Sequence, residues 1–283
     1  MVIRYRMRYN DYQKEVGRLK RRNFMRQIRI KEIEEPDFGC EGRPQGESVF
    51  VKIWAEDAGT GEEIVCRMEE KALWQSGIDE GMQVWMDERG ELRRRKLAVF
   101  FPGWRHSTDR ALLYYPEKLC RNLGYETVLL HYDYPRDRKT ENFSFEQTEE
   151  QAWKTVQTEL DSRKLNDYQE ILFVSKSMGT VLAGKAEREY GLTGVRHCFL
   201  TPLPQTVKYF KEQGQLVVAG TKDPYFPVED LESVCEKREM RYYLVENVGH
   251  NLEVDEIQGT LWILTEVMRQ IENFIRWESR PPL

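Results

Sequence analysis

Ile171-Leu172-Phe173-Val174-Ser175-Lys176-Ser177-Met178-Gly179-Thr180 joins an apolar run to a helical one through a single serine. The first four residues predict a strand buried on both faces, and the residues from 178 to 190 predict a helix. Ser177 stands at the turn, with the small residues Ser175 and Gly179 two positions before and after it. A sharp strand-to-helix turn holds its middle residue in a strained conformation. It also brings the chain close to itself at those flanking positions, where a large side chain would clash. The hydroxyl is then presented above the sheet at a helix N-terminus, whose dipole favours developing negative charge. A serine in a βα turn also serves simply as a helix N-cap, so this stretch alone leaves both roles open.

The same rhythm runs outward from this stretch. Apolar runs at Leu97 to Phe101, Thr127 to His131, Ile171 to Val174, Cys198 to Leu200, Leu216 to Ala219 and Tyr242 to Val245 give six strands. Helical stretches at 108–123, 145–163, 178–190, 204–212 and 228–238 separate them. A long last helix covers roughly 257–277, with Leu261, Leu264, Met268, Ile271 and Ile275 at helical spacing. Continuous apolar strands separated by amphipathic helices predict an α/β fold, a mostly parallel, doubly wound sheet of about six strands covered on both faces.

Before residue 95 the character differs. Ile3 to Tyr9 alternates apolar residues with Arg4, Arg6 and Arg8, residues 11–22 are basic and helical in pattern, and residues 26–34 alternate again. Glu35-Pro36-Asp37-Phe38-Gly39 breaks the pattern. Strands follow at Val49 to Trp54, Glu63 to Arg67 and Met82 to Met86, with turns at Asp57 to Gly61 and Glu88 to Glu91. Several short strands predict a small β-rich, barrel-like N-terminal domain, SH3-like or OB-like, over residues 1–95. Arg93-Arg94-Arg95-Lys96 leads into the second domain, 96–283.

Two further segments bear on Ser177. Gly220-Thr221-Lys222-Asp223-Pro224-Tyr225-Phe226-Pro227 follows an apolar strand and places Asp223 just past its C-terminal end, where sites in open parallel sheets lie. Glu246-Asn247-Val248-Gly249-His250-Asn251 follows the last strand, before the C-terminal helix. The chain has four histidines, and surface or core roles are the ordinary expectation for His106, His131 and His197.

Residues 96–277 resemble the α/β-hydrolase superfamily in its small, lidless serine-hydrolase form. Ser175 to Gly179 looks like the nucleophile elbow, usually Gly-x-Ser-x-Gly, with Ser175 in the first glycine's place. The resemblance implies the order nucleophile, acid, histidine, which Ser177, Asp223 and His250 supply; Glu246 and Glu229 are the other acids near enough to weigh. It also implies an oxyanion hole made by the backbone N–H of Met178 and one from the loop Phe100-Phe101-Pro102-Gly103-Trp104-Arg105-His106. Trp104 matches that second position, with Arg105 beside it. No long insertion lies between Cys198 and Leu216, where lids often sit. Trp104, Tyr225 and Phe226 are candidates for an apolar substrate rim or for core. Lys176 reads as a surface residue or a contact for an acidic substrate group, with the surface favoured.

The expected activity is cleavage of an ester or thioester in a small-molecule acyl substrate, of the carboxylesterase or thioesterase kind, with no metal and no organic cofactor. Peptidase and acyltransferase chemistry use the same residues, and a non-catalytic binding or scaffolding protein can share the fold. Bulk properties bound the rest. The net charge is −5, yet residues 1–31 hold eleven Lys/Arg against two acids, which leaves the remainder at −14. That distribution disfavours a global nucleic-acid binder, and the Arg4, Arg6, Arg8 face with Lys20-Arg21-Arg22 is expected to be a solvated surface. Five cysteines without metal or redox spacing, no apolar leader and no apolar window near ~18 residues predict a cytoplasmic protein with free thiols and no membrane span. The N-terminal domain is further expected to shape the site or to build a homodimer.

Overall fold

The structure is a computed structural model that describes residues 25–36, 38, 48–132 and 144–277. The strand expected at 3–9, the helix at 11–22, Lys20-Arg21-Arg22 and Cys40 lie outside the described residues. The chain divides into two compact units, Met1–Arg95 and Lys96–Leu283.

The first unit holds β1 (Arg26–Glu34), β2 (Phe50–Asp57), β3 (Glu63–Glu69), α1 (Glu70–Ser76), β4 (Gln83–Met86) and the beginning of β5 (Leu92–Phe101). Period-two patterning builds it. In β2, Val51, Ile53 and Ala55 are buried while Lys52, Trp54 and Glu56 stay partly exposed. These join Ile28, Ile30, Leu73, Ile78, Val84, Met86 and Leu92 in one core. The ladders are antiparallel and run β3-β2-β1-β4-β5. They form an open path, and no pairing among the described residues closes a barrel. One detail departs from the sequence reading. α1, seven residues with only Leu73 buried, is too short to show a helical period. After the 88–91 turn the chain returns from Leu92, and Arg93 and Arg94 pair with Trp85 and Val84.

In the second unit the later residues of β5 are followed by α2 (Ala111–Asn122), β6 (Glu126–Leu129), α3 (Phe145–Asp161), β7 (Tyr168–Lys176), α4 (Met178–Glu189), β8 (Arg196–Leu200), β9 (Gln215–Gly220), α5 (Val228–Lys237), β10 (Arg241–Val245) and α6 (Ile257–Trp277). A 3-10 turn, Pro204–Tyr209, stands where a helix over 204–212 is expected. The strand order is β6-β5-β7-β8-β9-β10, and the ladders β5–β6, β7–β8, β8–β9 and β9–β10 are parallel. This is the expected α/β architecture.

Alternate residues of each central strand feed opposite cores. Leu97, Val99, Phe101, Ile171 and Phe173 pack with Ala152, Val156 and Leu160 of α3, Leu182 and Ala183 of α4, and Leu231 of α5. Ala98, Phe100, Leu172 and Val174 pack with Leu112 and Leu113 of α2 and with Ile263, Val267, Ile271 and Phe274 of α6. Both faces are therefore covered, which is why these strands read as unbroken apolar runs. On α6 the expected stripe holds at Leu264, Met268, Ile271 and Ile275, which are buried in or packed against this core, whereas Leu261 is 52% exposed. From β5 the chain winds outward to β6, then crosses back to β7 on the other side of β5. Such a reversal opens a crevice at the C-terminal strand ends, the place where ligands bind in open α/β sheets.

Candidate active site

Ser177 sits at that crevice, between the end of β7 and the start of α4. Its backbone has φ 53° and ψ −123°, a conformation that side chains rarely adopt. The surroundings hold it there. Ser177 N donates to Leu200 O at 3.0 Å, and Thr180 Oγ1 donates to Ser177 O at 2.6 Å. Thr206 completes the chain of hydroxyls, 2.6 Å from Thr180 Oγ1. The steric reason for small neighbours is visible in distances. A Cβ on Gly179 would lie 2.2 Å from Phe101 O and 2.6 Å from Pro102 O, so any side chain would collide with backbone. Ser175 is fully buried, and its hydroxyl reaches Cys198 O at 3.4 Å.

Asp223 and His250 meet Ser177 from the next strand ends. His250 Nε2 lies 2.8 Å from Ser177 Oγ, and His250 Nδ1 lies 2.7 Å from Asp223 Oδ2. A carboxylate only accepts, so it draws the proton onto Nδ1 and leaves the Nε2 lone pair for the serine hydroxyl. The other oxygen, Asp223 Oδ1, accepts from Tyr225 N at 2.9 Å, which fixes the carboxylate's rotation. Asp223 is buried at 7% exposure. The two loops are pressed together through Gly220, where a Cβ would stand 2.1 Å from Val248 O. Lys222 N also donates to Val248 O at 2.9 Å, and Asn247 N donates to Thr221 Oγ1 at 2.8 Å. Glu229 and Glu246, the other acids weighed, are exposed, and His250 is bonded to Asp223.

A cleft of about 510 Å³ opens beside Ser177, lined by the 103–106 loop, Met178, Leu203 to Gln205, Tyr225 and His250 among others. Trp104 and Tyr225 stand at its edge, 50% and 62% exposed, and the Tyr225 ring meets the His250 ring edge-on at 4.7 Å. Phe226 corrects the rim expectation. It is 5% exposed and packs in the core under α5, because the Asp-Pro turn points successive side chains to opposite sides. The 103–106 loop lies against the serine, since a Cβ on Gly103 would be 3.0 Å from Ser177 Cβ. His106 N donates to Gly103 O at 3.0 Å, closing a turn in which Arg105 has φ 54°. That bond uses neither the Trp104 nor the Arg105 N–H.

Three cleft residues escape the sequence reading. Lys176 is not a surface residue. It is 2% exposed, and its ammonium donates to Thr201 Oγ1 and His250 O, each at 3.3 Å. Burial lowers its pKa to about 8, with Asp223 opposing the shift. His106 lines the cleft, and burial, reinforced by the charges of Lys176 and Arg110, pushes its pKa down to about 4. Arg110, the exposed residue preceding α2, also lines it. The remaining histidines are structural. His197 is buried and bonds Glu187 at 3.0 Å, and His131 bridges Leu129 O and Thr108. Among the described residues no helix is long and apolar enough to cross a membrane.

No family model matches the chain, and no curated protein matches it in sequence. Solved structures similar to it include an α/β serine hydrolase homologue from Coxiella burnetii, at 12% identity and TM-score 0.45, covering 67% of this chain and 92% of that one. Another is mouse α/β hydrolase domain-containing protein 10, at 11% identity and TM-score 0.42, covering 62% and 89%. A third is Est1E from Butyrivibrio proteoclasticus with bound ferulic acid, at 13% identity and TM-score 0.45, covering 63% and 90%.

Proposed function

We propose that the chain is a serine hydrolase that cleaves an ester or thioester through an acyl-enzyme. One observation carries this reading: Ser177 Oγ, His250 and Asp223 form a continuous hydrogen-bonded series, 2.8 Å and 2.7 Å, at the C-terminal strand ends beside an open cleft. In this reading His250 Nε2 takes the Ser177 proton as Oγ attacks the acyl carbon. Asp223 holds the ring's orientation and stabilises the imidazolium. The tetrahedral oxyanion is met by the N–H of Met178, the first residue of α4 and free of any intrahelical acceptor by helix geometry. Trp104 N–H supplies the second donor. The proximity of Gly103 to Ser177 supports a donor from this loop, and Arg105 is the competing source. His250 then protonates the leaving alcohol or thiol, and a water activated by the same ring releases the acid and restores Ser177.

The acyl substrate is a small molecule, and the series of steps uses only side chains and water. A fluorophosphonate probe is expected to label the wild type and not Ser177→Ala. Turnover of short p-nitrophenyl esters or thioesters is expected to be lost in His250→Ala. Equal labelling of wild type and Ser177→Ala, with no turnover across a panel of esters and thioesters, would leave a non-catalytic binding role in its place.

A further inference from the structure

The cleft carries a charge pattern that the acyl-transfer steps do not use. Among the described residues its lining includes three cations, Arg105, Arg110 and Lys176, and no aspartate or glutamate. The cleft is cationic within a stretch that is acidic as a whole, since residues 32–283, cleft included, together carry −14. Lys176 is the centre of the pattern. It is buried beside the nucleophile, and among the described residues its hydrogen-bond acceptors are a hydroxyl and a backbone carbonyl rather than a carboxylate. Asp223 supplies an opposing charge nearby but is hydrogen-bonded to His250 rather than to the ammonium, and Glu253 is exposed and does not line the cleft. An ammonium has three donors, so one remains beyond these two acceptors, and Lys176 lines the cleft. A buried cation without a hydrogen-bonded carboxylate is costly to keep, and a bound anion supplies that direct partner. His106 adds a second polar group. Its buried Nδ1 has no hydrogen-bond partner among the described residues.

We propose that Lys176, with Arg110 at the mouth of the cleft, binds an anionic group of the substrate, so that the preferred ester or thioester bears a carboxylate or phosphate. This rests on the hydrolase reading above and narrows its substrate class. Arg105 stays on the outer wall, stacked on the Trp104 ring at 4.8 Å. A charge-assisted hydrogen bond of this kind is worth about tenfold to hundredfold in discrimination.

The test compares mono-p-nitrophenyl glutarate with p-nitrophenyl valerate, two acyl chains of similar length that differ in the terminal carboxylate. The wild type is expected to favour the glutarate in kcat/KM by about tenfold to hundredfold. Lys176→Met should bring that ratio close to one while the valerate rate falls much less. Arg110→Gln, at an exposed position, should lower the ratio in part. A wild-type ratio of one or below overturns the proposal. So does an equal loss on both esters in Lys176→Met, which would make Lys176 a tether for the His250 loop.

A binding arm separates failure of this proposal from failure of the hydrolase reading. Calorimetric titration of Ser177→Ala with N-phenylglutaramate and N-phenylvaleramide requires no turnover. Selective binding of the anionic amide, removed by Lys176→Met, upholds the anion site even if no ester is cleaved; equal or absent binding refutes it. Competition by acetate against inorganic phosphate tells a carboxylate site from a phosphate site.

Discussion

Gly220→Ala adds one methyl group at a residue that does not line the cleft, yet it is expected to disable the site. The new Cβ would lie 2.1 Å from Val248 O and 2.9 Å from Gly249 O, whereas ordinary contact begins near 3.4 Å. The strand end and the 247–249 loop must therefore part by about 1.3 Å. Neither side can yield by rotating a side chain, because both colliding groups are backbone. Asp223 rides on one side of this seam and His250 on the other, joined by the 2.7 Å bond. Parting them by that amount stretches the bond to roughly 4 Å, beyond hydrogen-bond range. A misplacement of about 1 Å costs on the order of 100-fold in rate, and loss of the oriented carboxylate costs more. Kcat/KM for a short p-nitrophenyl ester should thus fall at least ~100-fold. Overpacking costs about 1–3 kcal/mol, which a folded domain survives, and circular dichroism with a urea titration checks that it does. Gly249→Ala is the matched control, since its Cβ would meet Lys222 O at an ordinary 3.8 Å. A folded Gly220→Ala protein with wild-type turnover would refute the reasoning, because the tight backbone seam would then not be what sets the Asp223–His250 contact.

Asp223→Asn keeps the acceptor for Tyr225 N but withdraws the charge facing His250, so kcat should fall by about 10⁴-fold with little change in the urea midpoint. His106 has its pKa lowered from 6.5 to about 4, so the unfolded chain binds its proton first as pH falls. Stability should therefore drop between about pH 6.5 and 4, and His106→Gln should flatten that part of a urea-midpoint profile; a parallel profile would contradict it. Arg196 is buried, pairs with Glu170 and donates to the carbonyls of Phe274 and Ile275 at the N-terminal end of β8. Arg196→Met should cost about 3–5 kcal/mol in chemical unfolding while leaving kcat of the folded enzyme near wild type.

These predictions fall on residues of differing legibility in the sequence. Ser175, Ser177 and Gly179 could be read because the constraint is local: the chain crosses itself within two residues of the turn, and composition records it. Asp223 and His250 could be read because each ends an apolar strand, and parallel strands bring their C-terminal ends to one edge whatever the sequence separation. The strand count came through for the same reason, since both faces of the sheet are covered and polarity is excluded from it. The first turns of α6 were harder. Ile257, Leu261 and Trp262 extend its apolar pattern to positions that are 74%, 52% and 63% exposed, so periodicity places Leu264, Met268, Ile271 and Ile275 on the core but not where the buried stripe begins. Phe226 is a similar case, because a turn decides its direction and the turn's geometry is not in its hydropathy.

Lys176 shows most clearly where sequence reasoning stops. A lysine is solvated by default, because desolvating an ammonium is expensive. Yet Lys176 is the last residue of β7, a strand whose positions from Ile171 onward are all buried. Continuity of burial was the available signal, and it conflicts with the residue's own preference. When a side chain is held against its preference, the compensating interaction lies in its surroundings: here Thr201, the His250 carbonyl and the nearby charge of Asp223. That surrounding is assembled from β8, the 247–251 loop and the 103–110 segment, none of which is near residue 176 in sequence. The elbow is thus a local property of the chain, whereas the charge of the cleft is a property of the fold, and only the latter bears on the acyl group proposed for the site.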